Sequence, residues 1–338
     1  MGSGCVKRVV VFVFLLCWVA LFALGYGAGF VLTPYDGMPS VAEIEIKRGE
    51  SLSVVAEKLH AGGVISTEGL FAALARVQGL DKKVHSGLYR FDRPLSPLAV
   101  LDGMVLGRTV FHKVTIPEGF TVRDITRLLA ERGLVKQERF EREVENPETL
   151  AQHGLEDKGV EGYLFPTTYY FRALSTEQEI VRTMLAQFTQ MFTPEMMAQA
   201  RVLGFTPHEI VTLASIIEKE SGQASERPLI AAVFHNRLRI GMPLQSDPTV
   251  IYGIVDFNGN LTRRDLRRPT PYNTYTIRAL PPGPIANPGS ESLQAALAPA
   301  TVPFLYFVSK NDGSHYFSKS LREHNRAVKK YQLSKRKS

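Results

Sequence analysis

Cysteine is nearly missing from this sequence: among 338 residues it stands only at positions 5 and 17. Everything after residue 17 therefore has no disulfide framework and no thiol nucleophile. Charge of one sign is just as scarce in the body. The totals, 40 Lys and Arg against 33 Asp and Glu, give a net +7 and a pI near 9.3, a balance that ordinarily raises nucleic acid as a partner. Seven of the basic residues, Lys7, Arg8, Lys329, Lys330, Lys335, Arg336 and Lys337, lie in 1–8 and 329–338, stretches without an acid. Residues 9–328 thus carry 33 basic and 33 acidic side chains, which excludes a domain-wide basic face but not a local patch. No nucleic acid is expected as partner. Several chemistry-bearing motifs are missing too. There is no Gly-x-Gly-x-x-Gly, no Gly-Lys-Ser/Thr loop and no Gly-x-Ser-x-Gly elbow. His208-Glu209 is followed by Thr212 where a zinc-protease helix needs a second histidine, and His315 and His324 are too far apart for a compact metal site. No metal or cofactor is expected. A hydrophobic content of 44% excludes disordered, collagen-like and disulfide-scaffold classes.

The first feature present is an uncharged run over residues 9–32, preceded by Lys7 and Arg8 and longer than the roughly 20 residues that cross a bilayer as a helix. Gly25, Gly27 and Ala28 would suit a signal-peptide cleavage site, but apolar residues continue through Phe30, Val31 and Leu32. The expectation is an uncleaved single-pass anchor, with 1–8 as a cytoplasmic tail and the rest extracytoplasmic.

The second feature is a repeat at an offset of 70 residues. Ile46, Gly49, Ser51, Leu52, Val55, Ala56, Leu59 and Gly63-Val64-Ile65 align with Ile116, Gly119, Thr121, Val122, Ile125, Thr126, Leu129 and Gly133-Leu134-Val135. Each copy reads as a short strand (43–47; 112–116), a glycine turn, and a helix capped by Ser51 or Thr121 and stopped at Gly63 or Gly133. Two copies are too few for a solenoid. They predict two small α/β modules, 41–108 and 109–150, the first completed by a strand over 85–91 and a helix over 98–106. The pattern of residues 44–59 resembles the start of a LysM module, a small fold associated with peptidoglycan glycan chains. Glycan contact and simple scaffolding both remain open for it.

Beyond residue 150 helical periodicity returns at 177–192, 194–203 and 209–221, within a domain expected to span 151–328 and to end in a basic tail, 329–338. The predicted class is α+β: a transmembrane helix, the small modules, then a mainly helical catalytic domain with short strands and long Pro/Asn-rich loops. Six prolines in 269–289 forbid a long helix there. Tyr272, Asn273, Thr274 and Tyr275 within that stretch favour a folded loop lining a site over a floppy one.

With nucleophile elbow, thiol and metal excluded, carboxylates are the remaining candidates. On a helical wheel of residues 209–221, Glu220 projects among Leu213, Ile216 and Ile217, whereas Glu218 falls on a flank with Val211 and Ala214. A carboxyl among aliphatic side chains loses hydration of its charged form, which raises its pKa toward the range of a general acid. Periodicity alone equally allows a structural carboxylate paired with Lys219 or an arginine.

Longer motifs shift that balance. Ser215-Ile-Ile-Glu-Lys-Glu-Ser221, Val233-Phe-His-Asn-Arg-Leu238, Gly241-Met-Pro-Leu-Gln-Ser-Asp-Pro-Thr-Val-Ile-Tyr-Gly253, Pro271-Tyr-Asn-Thr-Tyr275, Leu280-Pro-Pro-Gly-Pro-Ile285, His315-Tyr-Phe-Ser318 and Glu323-His-Asn325 occur in this order, with Glu161-Gly-Tyr-Leu-Phe-Pro166 upstream. The series resembles the endolytic murein transglycosylases of the MltG/YceG family over nearly the whole chain. His235 and Ala279 depart from the family's usual pattern.

The resemblance implies lytic cleavage of the β-1,4 bond between N-acetylmuramic acid and N-acetylglucosamine in peptidoglycan, leaving a 1,6-anhydro end. It implies a single catalytic glutamate followed by Ser, here Glu220-Ser221, on an inner-membrane protein that terminates strand elongation, with cell-wall synthases as candidate partners. Glu218, Lys219 and Arg237 are expected to tune Glu220. Asn236, Gln245, Ser246, Asp247, Asn273 and Thr274 are expected hydrogen-bond partners of the sugar, and Tyr169 or Tyr272 a stacking surface. Asn and Asp beside Pro are also ordinary turn residues. A hydrolytic muramidase and a non-catalytic glycan-binding scaffold are the alternatives.

Overall fold

The computed structural model describes residues 3–333 except positions 38 and 157. The expected cytoplasmic tail 1–8 and basic tail 329–338 lie partly outside the described residues, Lys335, Arg336 and Lys337 among them. The chain forms two compact units, Met1–His112 with Tyr170–Leu174, and Lys113–Tyr169 with Ser175–Ser338. The second repeat copy, expected to form a module of its own over 109–150, belongs to the second unit.

In the first unit, α1 (Ser3–Leu32) contains Val10–Leu32, 23 residues of mean hydropathy 2.4, long and apolar enough to cross a membrane. Then follow β1 (Ala42–Ile46), α2 (Leu52–Ala61), α3 (Glu68–Val77), β2 (Gly87–Phe91) and α4 (Pro97–Val105). β1 and β2 pair antiparallel, Ile44 opposite Tyr89. Alternation along β1 turns Ala42, Ile44 and Ile46 inward, where they meet Val55, Leu59, Phe71, Leu101 and Met104. Glu43 and Glu45 face out.

β3 (Phe111–Thr115) and β4 (Thr168–Arg172) form a two-stranded ribbon. After β3 the second copy repeats the local structure of the first. α5 (Val122–Glu131) has the ten-residue length of α2, and the Ser51 and Thr121 hydroxyls each accept the N–H three residues on. Gly63 and Gly133 sit at φ of 69° and 68°, so that the Val64 and Leu134 N–H groups return to the carbonyls of Leu59 and Leu129. Only glycine takes this left-handed C-terminal cap without strain. Both strands begin one residue earlier than the sequence pattern suggests.

The rest of the second unit is mainly helical: α6 (Gln137–Val144), α7 (Pro147–Gln152), α8 (Glu177–Met191), α9 (Pro194–Val202), α10 (Pro207–Glu220), α11 (Arg227–Arg239), α12 (Asp247–Tyr252), α13 (Arg263–Arg267) and α14 (Ser290–Leu297). A hairpin of β5 (Tyr306–Ser309) and β6 (His315–Ser318) and then α15 (Leu321–Val328) complete it. α10 is its central element, packed by α9, α11, α12 and α14. A box of Thr206 and Glu209 caps its N-terminus, with Pro207 in the first turn. Every residue from Ile210 to Ile217 is at most 1% exposed. This corrects the amphipathic premise of the helical wheel: over that stretch α10 has no solvent face.

The Pro-rich segment is folded, as its aromatic and Asn content suggests. Tyr275 lines a cleft, whereas Pro282 and Ile285 hold the segment against α10. The Ile285 N–H donates to Ser215 Oγ over 3.0 Å, and His208 Nε2 lies 2.9 Å from the Pro282 carbonyl oxygen. Asn287 is fully buried, with its Nδ2 donating to the Phe120 carbonyl and its Oδ1 accepting the Leu164 N–H.

Candidate active site

α10 is buried from Ile210 to Ile217, and beyond that stretch its C-terminal end reaches open space. Glu220 is the last helical residue. It lies on a cleft of about 450 Å³ lined also by Arg237, Gln245, Asp247, Tyr275, Tyr306 and His315. Ser246 Oγ donates to Glu220 Oε1 over 2.6 Å; among the described residues Oε2 receives no donor. Burial raises the Glu220 pKa above that of an ordinary carboxyl, the Ser246 hydrogen bond opposes this, Asp247 adds to it, and His315 and Arg237 oppose it. The helix C-terminus acts in the same direction as burial, since its carbonyl ends disfavour an anion. The result is an acid held toward its protonated form with one oxygen open.

Ser246 is placed by a fully buried hydroxyl network. Its N–H donates to Thr274 Oγ1 over 3.0 Å, its carbonyl accepts from Thr249 Oγ1 over 2.7 Å, and the two threonine oxygens lie 2.8 Å apart. The preceding residue, Gln245, has φ of 50°, a left-handed conformation that costs a non-glycine residue on the order of 1 kcal/mol. Its N–H is held by the Thr274 carbonyl at 3.0 Å. Arg237 is clamped by backbone oxygens, with its Nε on Leu305 at 2.7 Å and a terminal nitrogen on Leu244 at 2.6 Å, and stacks over the Tyr306 ring. Tyr275 donates its hydroxyl to Asp247 Oδ1 over 2.6 Å.

Of the residues singled out from sequence, Glu220, Arg237, Gln245, Asp247 and Tyr275 line the cleft and Ser246 touches Glu220. The others are not brought there. Glu218, with its side chain 8% exposed, accepts the Gly289 N–H over 3.0 Å and meets Arg227 at 3.3 Å. Lys219 donates to the Gly119 carbonyl and Ser221 to the Ile217 carbonyl. Asn236 donates to the carbonyls of Val302 and Phe304. Tyr272 packs on Tyr252, Tyr169 is buried with its hydroxyl on the Phe165 carbonyl, and Asn273 and Thr274 are fully buried framework. Asn and Thr side chains bridge backbone groups as readily as they bind sugars, and spacing alone does not separate the two uses.

Sequence reasoning missed the far wall of the cleft, built by Tyr306, His315 and His324. The signal for the two histidines lay in the motifs 315–318 and 323–325, and Tyr306 stands in neither. His324 stacks on Tyr306, and burial lowers its pKa. A second buried carboxyl was also missed. Glu161 accepts the Val122 N–H, Asn287 Nδ2 and the Tyr252 hydroxyl, and burial pushes its pKa up to about 7. Among the described residues no three His, Cys, Asp or Glu side chains converge to hold a metal ion.

Comparison with known proteins places these features in context. An endolytic murein transglycosylase of Bacillus subtilis is 32% identical over 327 residues, 92% of this chain and 90% of that protein. One of Streptococcus pneumoniae is 27% identical over 95% of this chain, which spans 65% of that longer protein. The crystal structure of a yceG-like protein from Listeria monocytogenes superposes with a TM-score of 0.58 at 32% identity, covering 85% of this chain and 98% of that one. Residues 44–330 match the YceG-like family as a whole, so the chain belongs to that family.

Proposed function

We propose that this chain is a lytic transglycosylase that cuts peptidoglycan glycan strands internally at the β-1,4 bond between N-acetylmuramic acid and N-acetylglucosamine, terminating strand growth. The observation that carries this reading is Glu220, an acid with a raised pKa and one free oxygen at the bottom of the cleft. Protonated Glu220 gives its proton to the glycosidic oxygen as the C1–O bond breaks. The carboxylate it becomes accepts the proton of the C6 hydroxyl as that oxygen bonds to C1. No water is consumed, and the acid is restored. The tethered hydroxyl gains the entropic advantage of an intramolecular attack.

A second reading, hydrolysis of the same bond, is favoured by one feature. Asp247 lies in the same cleft, and a second carboxylate is what a hydrolase uses to activate water or trap the sugar. Mass spectrometry of products made by the full chain in detergent from isolated sacculi separates the two. Anhydro ends are one water lighter than reducing ends. Reducing ends would establish hydrolysis, and the absence of any product would leave a glycan-binding scaffold.

The apolar run of α1, with Lys7 and Arg8 before it, supports a single-pass anchor in the bacterial cytoplasmic membrane with the residues after α1 outside. The strand-helix-helix-strand order of β1, α2, α3 and β2 supports reading residues 41–108 as a LysM-like module.

A further inference from the structure

The charge balance of residues 9–328 conceals one local excess. Arg263, Arg264, Arg267 and Arg268 fall within six residues on and beside α13. All four are exposed, and among the described residues none forms an ion pair. Asp265, the acid between them, forms no ion pair with any of the four among the described residues. Asp265 accepts the N–H and hydroxyl of Thr262 over 2.9 and 2.5 Å, as part of the helix cap. The arginines line a concave cleft of about 1040 Å³ together with Phe257, Asn258, Asn260 and two acids, Asp256 and Asp265, so that four positive and two negative side chains leave it a net excess of positive charge. Guanidinium forks match carboxylates in two parallel hydrogen bonds, and side-chain amides match peptide groups. A concave cleft of this composition suits an acidic peptide better than a flat lipid surface.

Two adjacent residues tie this cleft to Glu220. Asn273 Nδ2 donates to the carbonyls of Asp265, Leu266 and Arg268 over 3.2, 3.2 and 2.7 Å, fixing the end of α13. Thr274, next in the chain, holds Ser246, which holds Glu220. We propose that the arginine cleft binds the carboxylates of the peptides carried by the glycan strand, so that the chain prefers strands still bearing their peptides. The inference rests on the reading of murein as substrate. Peptides extend carboxylates away from the sugar backbone, whereas a stripped strand keeps only the lactyl carboxylate against it.

The test uses the full chain in detergent with Glu220→Gln, so that strands survive, and measures binding by fluorescence anisotropy. The probes are soluble uncrosslinked strands of one length, with peptides or stripped by an amidase. Peptide-bearing strands should bind about tenfold tighter, as several exposed ion pairs together would give. Replacing all four arginines with Gln should level the two affinities, with the pairs Arg263→Gln/Arg264→Gln and Arg267→Gln/Arg268→Gln in between. Equal binding of both strands, or a preference that survives the fourfold change, overturns the inference. Displacement of peptide-bearing strands by soluble short-chain phosphatidylglycerol, with no preference between strands, overturns it in favour of an anionic lipid. If the parent makes no anhydro ends while the binding preference holds, the reading of Glu220 falls alone. If strands are cut but binding ignores peptides, this inference falls alone.

Discussion

Glu226 holds His315 at two points: Oε1 accepts the main-chain N–H over 2.9 Å, and Oε2 meets the ring Nδ1 over 2.7 Å. A carboxylate on Nδ1 assigns the proton to that nitrogen and leaves Nε2 for the cleft. His315 also counters the rise in the Glu220 pKa. Glu226→Gln, which weakens the grip without touching the cleft, should lower kcat by about tenfold to a hundredfold, the usual effect of a loosened positioning contact. Steady-state rates on solubilised glycan strands measure this, and an unchanged kcat would show that His315 needs no such support.

Glu220 and Glu218 should separate on substitution. Glu220→Gln removes the transferable proton and should cost at least about 100-fold in rate while leaving the melting temperature in place. Glu218→Gln weakens the bonds to Arg227 and Gly289 and should instead cost about 1–3 kcal/mol of stability. Thermal melts alongside activity distinguish them, and loss of rate confined to Glu218→Gln would reverse the assignment.

Ser246→Ala removes a donor that favours ionised Glu220. The Glu220 pKa should therefore rise. Because the first step needs the protonated acid, the alkaline limb of the kcat/KM profile should move to higher pH. A shift to lower pH would contradict the hydrogen-bond argument.

Glu161 carries a stability prediction with a definite sign. Its folded pKa, about 7, lies above the ordinary 4.5, so the folded state holds the proton more tightly than the unfolded one. This contribution is complete below about pH 4.5 and fades as pH rises through 7, by on the order of 3 kcal/mol. Urea unfolding at both ends of that range should show the decline, and Glu161→Gln should flatten it.

Much of the fold was legible because local chemistry governed it. Ser51, Thr121, Gly63 and Gly133 announced two capped helices whose ends the structure places within a residue or two of the expectation. β4 was not expected, since Thr168–Arg172 is defined by pairing with β3, more than fifty residues earlier in the chain. In the candidate site, the glutamate at the end of α10 stood out by its apolar neighbours, although the helix proved buried on every side. The hydroxyl network behind it was only half visible: Ser246 and Thr274 carry an expected role, Thr249 stands in a motif without one, and their mutual contacts depend on long-range packing. The two buried asparagines, Asn273 and Asn287, illustrate the same limit. A polar side chain that organises backbone looks, in a sequence, like one that waits for a ligand.

The repeat carries an evolutionary consequence. In the first copy the turn at Gly49 has open space where a side chain would stand. In the second, Gly119 receives Lys219 on its carbonyl and donates its N–H to Asn287, while its neighbour Glu118 meets Arg227. The first turn is held from within its own copy, where Glu50 pairs with Lys58, and the second is bound to the helix that ends in Glu220. Relatives of this chain should therefore drift faster at Arg48 than at Glu118, although the two turns share one sequence pattern.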